Sequence, residues 1–162
     1  MSTSQSPTEN RTMSLPTARV LIGGVYAVCV LGLLALFTGE IVFTDKDPYR
    51  SEGPAESILS VGIIGSGALI IGVGLGLWLV QRPERARVGA ILFGALSVVS
   101  MVVFWSGAPG IFGAVAAWLA GLTKNGTPQP GAARVAGLVG IFVVIVNVVL
   151  TVGGVVLTGI TG

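Results

Sequence analysis

Residues 88 to 122 form a run of 35 positions without one charged side chain. A hydrocarbon layer about 30 Å thick is crossed by about 20 consecutive apolar residues of helix. The run is therefore more than enough for one crossing, and a soluble core of this size could not hide it. As a single helix it would extend about 52 Å at 1.5 Å per residue, too long for one passage. It contains Ser106-Gly107-Ala108-Pro109-Gly110, a cluster of turn and breaker residues. Pro109 suits the first turn of a new helix, where its missing N–H costs nothing. The run thus divides into two helices, at about 87–105 and 109–122.

Three further apolar stretches lie at about 19–38, 57–80 and 134–159. Together the five segments predict an all-α, polytopic transmembrane bundle over residues 18–162, preceded by a disordered cytoplasmic tail over residues 1–17 that is rich in Ser and Thr. The segment 109–122 is short for a full crossing. Four spans plus a re-entrant half-helix is the alternative. The first stretch reads as an uncleaved anchor, because its run is longer than a signal-peptide core and no Ala-x-Ala site closes it.

Charge placement separates the two counts. With five crossings and a cytoplasmic N-terminus, Arg11, Arg19, Arg82, Arg85, Arg87, Lys124 and Arg134 fall inside and only Lys46 and Arg50 outside. If 109–122 does not cross, Lys124 and Arg134 change sides and the bias falls from seven-to-two to five-to-four. The positive-inside rule favours five crossings in the cell membrane, with the C-terminus extracytoplasmic. Trp78, Trp105 and Trp118 fall near predicted span ends, as indole rings prefer.

Only 10% of residues are charged, against about 25% in a soluble domain. The net charge of +2 gives no reason to expect a nucleic-acid partner. The absence of His removes His-ligated metal and haem sites and every His-based acid–base scheme. The single Cys29 lies in an apolar run and reads as a small hydrophobe. No phosphate loop, no catalytic set and no cofactor or metal motif is expected. Asp45 and Asp47 have the spacing that opens a calcium loop, but the Gly and final Glu of that pattern are missing. Glu40 reads as a solvated carboxylate at the outer end of the first span. The chain resembles small multidrug-efflux proteins in size alone, since their first-span glutamate lies deeper.

What remains is packing chemistry. The 25 glycines suit close helix contact in a bilayer. Gly62 and Ser66, then Gly72 and Gly76, form small-xxx-small pairs in the second span. Gly113, Ala117 and Gly121 follow at four-residue steps in the fourth. In the fifth, Ala136, Gly140, Asn147, Thr151 and Gly154 share about 60° of arc at 100° per residue. These rows predict helix packing within the bundle, or an interface with a second copy or a larger membrane-protein complex. Asn147, near mid-membrane, reads as glue between helices, with a polar substrate path as the other reading.

The stretch Gly107-Ala108-Pro109 into an Ala/Gly-rich helix, then a basic loop and Gly131-Ala132-Ala133-Arg134-Val135-Ala136-Gly137-Leu138-Val139-Gly140, resembles uncharacterised small multi-spanning membrane proteins of high-GC actinobacteria. The resemblance covers the last third of the chain, and seven Arg against two Lys agree with it. It implies no activity. The functional expectation is a non-enzymatic accessory or scaffold subunit of a membrane complex. A small homo-oligomeric transporter or channel is the alternative.

Overall fold

The computed structural model describes residues 15–43 and 54–161. Among them are five α-helices and no strand: α1 Ala18–Phe43, α2 Pro54–Leu79, α3 Pro83–Val99, α4 Ala108–Leu119 and α5 Ala132–Thr161. A 3-10 segment, Ser100–Ser106, joins α3 to α4. The stretches Gly62–Leu79, Pro83–Phe104 and Ala132–Leu157 are long and apolar enough to cross a membrane. The acidic loop with Asp45 and Asp47, and most of the N-terminal tail, lie outside the described residues.

The surface and the core are built from opposite residue types. Ile70 is 72% exposed and Val102 79%. Ile63, Val88, Phe142, Val149 and Leu157 are also widely exposed. In water such a coat would be untenable; against lipid tails it costs nothing. The interior is rich in small side chains, with Ala90, Ala114, Ala116, Ala117 and Ala120 all fully buried beside a few larger ones, Phe93, Ile111, Val115 and Leu119. Because lipid is as apolar as leucine, helices in a bilayer gain by close contact rather than by hiding large hydrophobes.

The short α4 is the hub of this arrangement. At 12 residues it is about 18 Å long, well below a full crossing. Ten of those residues are buried, and the helix packs against all four others. Its Ala and Gly residues let the neighbouring helices close in, while Ile111, Val115 and Leu119 fill the space between them. Its start is set by Gly107, which has φ of 73° and ends the 3-10 segment. Pro109 occupies the first turn, as its spacing predicts.

The elbow at Ser106 and Gly107 meets the middle of its neighbours. A Cβ built at Gly107 would lie 2.5 Å from Cys29 Sγ, and one at Gly65 would lie 2.8 Å from the Ser106 carbonyl oxygen. Cys29 is 11 residues after the start of α1 (29 − 18) and 14 before its end (43 − 29). Gly65 is 11 residues after the start of α2 (65 − 54) and 14 before its end (79 − 65). Thus α4 begins at mid-depth and occupies one half of the bundle.

Its far end returns to the end from which α3 departs. The Lys124 N–H donates to the Pro16 carbonyl at 2.9 Å, just before α1, and Arg87 Nε donates to Gln129 Oε1 at 3.2 Å. The start of α1, the α2–α3 corner and the α4–α5 connection therefore share one end. Arg19, Arg82, Arg85, Arg87, Lys124 and Arg134 gather there. The half-length of α4 does not send Lys124 and Arg134 to the other side, because the α3–α4 hairpin leaves and re-enters one end.

Local chemistry explains why α3 gives way to a 3-10 segment. Ser97 Oγ donates to the Gly94 carbonyl at 2.7 Å and Ser100 Oγ to the Ser97 carbonyl at 3.2 Å. Such back-bonding competes with the helix's own ladder. At Val103, with φ of −114° and ψ of 44°, the helix is broken.

Candidate functional site

The polar groups of the interior converge on the elbow. Asn147 is fully buried, 15 residues after the start of α5 (147 − 132) and 14 before its end (161 − 147). Its Nδ2 donates to the Phe104 carbonyl at 2.9 Å. That carbonyl also accepts the Gly107 N–H at 3.3 Å, at the end of the 3-10 segment. Cys29 Sγ donates to Asn147 Oδ1 at 3.8 Å. Thr151 Oγ1 donates to the Asn147 carbonyl at 2.8 Å.

The first turn of α4 lies against the same amide. A Cβ at Gly110 would lie 2.8 Å from Asn147 Oδ1, so the amide oxygen sits beside the N-terminus of α4. A helix N-terminus carries partial positive charge, and a neutral carbonyl dipole answers it at mid-membrane without burying an ion. Ser106 Oγ accepts the Ala108 N–H at 3.3 Å and itself donates to the Val103 carbonyl at 2.7 Å. Pro109 has no N–H to satisfy. Every buried side-chain polar atom among the described residues has a partner. No group of three His, Cys, Asp or Glu that could hold a metal gathers among them.

The residues singled out by spacing divide into three sets. Gly72, Gly76, Gly113, Ala117, Ala136 and Gly140 line interior helix contacts. A Cβ at Gly72 would lie 3.2 Å from Val115 Cγ2, and one at Gly76 would lie 2.6 Å from the Trp118 ring. Gly113 and Gly140 bring the backbones of α4 and α5 into mutual contact, and Ala136 lies against Gly94 of α3. Ser66 and Thr151 make hydrogen bonds, Ser66 with Tyr26 Oη at 3.3 Å. Thr151 also abuts Gly32 of α1.

Gly62 and Gly154 form the second set and face outward. A Cβ at either would meet nothing within 4 Å. Gly154 shares the Asn147 face, but α4 does not reach that half of α5. Gly121 forms the third set. It lies beyond α4 with φ of 71°, against the Thr127 carbonyl, and makes a turn rather than a helix contact. Sequence reasoning passed over Ser97, and it read Ser106 and Gly107 as a helix breaker rather than as part of this polar contact. Side chains near Glu40 and Trp105 lie outside the described residues.

Replacing Asn147 by Leu is expected to cost about 1 kcal/mol of stability, within the range of interhelical amide bonds in bilayers. Asn147→Ala is expected to cost more, because it removes the same bonds and opens a cavity. Unfolding of both variants in mixed micelles by a denaturing detergent checks the order. No protein-family model, curated protein or solved structure matches the chain.

Proposed function

We propose that this membrane-embedded bundle is a non-enzymatic accessory or scaffold subunit of a larger membrane complex, inserted with its N-terminus cytoplasmic and its C-terminus extracytoplasmic. The observation that carries the reading is the sealed state of Asn147. A carrier or channel of this size needs polar groups facing a wet route through its centre. Here the mid-depth polar groups are consumed by helix-to-helix bonds, and Asn147 is fully buried. The orientation rests on six basic side chains against Glu84 alone among the described charges at one end of the bundle.

The outward glycines supply the second support. A Cβ at Gly62, Gly67, Gly74 or Gly153 would meet nothing within 4 Å. On α2 they stand among exposed Ile63, Ile70 and Ile71. Small residues between branched ones let another helix approach to backbone distance. Enzymatic roles have the least support, since the sequence has no His and no carboxylate cluster gathers among the described residues.

The test is purification of the tagged protein from native membrane in mild detergent, followed by native mass spectrometry. The expected result is stoichiometric recovery of a larger membrane complex. Gly62→Leu and Gly74→Leu should release the partner while leaving the subunit's own melting temperature unchanged. A homo-oligomer free of other proteins would overturn the reading and move attention to transport along the seam between copies.

A further inference from the structure

The basic end of the bundle holds a cleft of about 380 Å³. It lies between the start of α1, the α2–α3 corner and the α4–α5 connection, and its lining includes Trp118, Lys124, Asn125, Thr127 and Gln129. We infer that this cleft is a binding site for a phosphate-bearing anion at the membrane surface. The inference stands apart from the scaffold reading and survives its failure.

Three observations meet here. The first is charge. Arg19, Arg82, Arg85, Arg87, Lys124 and Arg134 share this end with Glu84 as the one described carboxylate. Two of the six already have contacts, Arg87 with Gln129 and Arg85 over the Trp78 ring. Lys124 is the one of the six that lines the cleft, and it is exposed.

The second is construction. The connection from Ala120 to Gly131 is held in shape along its length. The Leu122 N–H donates to the Ala117 carbonyl, the Gly126 N–H to the Thr123 carbonyl and the Gln129 N–H to the Ala120 carbonyl, each at 2.9 Å. Lys124 is tied by its backbone to Pro16, and Gln129 by its side chain to Arg87. Asn125 holds a left-handed conformation, φ 67°, that puts a kink in the wall of the cleft. Compact loops of this kind place polar groups in advance of a ligand, which lowers the entropy cost of binding.

The third is depth. Trp118 lines the cleft, and Trp78, with Arg85 stacked 4.4 Å over its ring, stands on the adjoining end of α2. Indole rings mark the headgroup level. A cleft with a lysine in its wall, at that level and at the basic end of the bundle, matches the phosphate of an anionic lipid headgroup. A free phosphate offers the same chemistry.

The test is native mass spectrometry of the full chain released from nanodiscs of phosphatidylglycerol or of phosphatidylcholine, with and without millimolar inorganic phosphate. The expected result is retention of phosphatidylglycerol over phosphatidylcholine, or a retained inorganic phosphate. Lys124→Gln should weaken retention about five-fold, the scale of one cation near an anionic surface. Arg134→Gln, at the same end but outside the cleft, should leave it unchanged. Displacement of the lipid by inorganic phosphate would assign the site to the free anion, and resistance to it would assign the site to the headgroup. Equal retention of the two lipids with no bound phosphate would overturn the proposal. So would equal losses in Lys124→Gln and Arg134→Gln, which would show diffuse attraction rather than a site. Lys124 is exposed, so the variant should fold, and its melting temperature checks that.

Discussion

Gly113→Leu and Gly140→Leu should each prevent the bundle from assembling, and even Ala at either position should cost about 1 to 3 kcal/mol, the usual range for overpacking. The two glycines face one another across α4 and α5. A Cβ at Gly140 would lie 2.5 Å from the Gly113 carbonyl oxygen, and a Cβ at Gly113 would press on the Gly140 carbonyl. What stands in the way is backbone on both sides, so no side chain can swing aside. The helices would have to separate, and α4 has nowhere to go because it is enclosed by the other four. Gly74→Ala is the matched control, since a Cβ there meets open space. Denaturing-detergent titration of purified protein should show the Ala variants at 113 and 140 unfolding earlier, with the 74 variant unchanged. Wild-type stability of Gly113→Ala would mean that α4 does not pack against α5 in this register.

The same contact shows how far the sequence is readable. Run lengths and the Ser106–Gly110 breaker locate the helices, because both report the backbone directly. The rows at Gly72 and Gly76, and at Gly113 and Ala117, mark real contact faces. Periodicity does not report where a neighbouring helix stops. Gly154 continues the Asn147 row by spacing, yet α4 covers only the other half of α5, so that row outruns the helix it packs against. Gly121 continues the Gly113 row by the same arithmetic, but the helix ends at Leu119 and the glycine serves a left-handed turn. A four-residue step cannot separate those two uses. The role of Asn147 as glue is legible from an amide in an apolar run. Its partners are not, because the Phe104 carbonyl and Cys29 reach it only through the tertiary packing of the elbow. Cys29, which reads as a plain hydrophobe, becomes a donor through its position opposite the elbow.

A single cysteine placed at Glu84 or at Asn125 should be labelled by a membrane-impermeant maleimide from the same side of the membrane. Both variants are made in a Cys29→Ala background so that one thiol reports. The two sites lie 41 residues apart in sequence (125 − 84), with the whole α3–α4 hairpin between them. In the structure they belong to one end, through the Arg87–Gln129 bond and the Lys124–Pro16 bond. Labelling is close to all-or-none, so the expected effect is large. Both should be blocked in intact cells and open in inside-out vesicles, since basic loops stay cytoplasmic. The reverse pattern in both would keep the shared end and invert the orientation. Labelling from opposite sides would mean that residues 109–122 do not carry the chain back, and it would break the shared end on which both the α4 hub and the basic cleft depend.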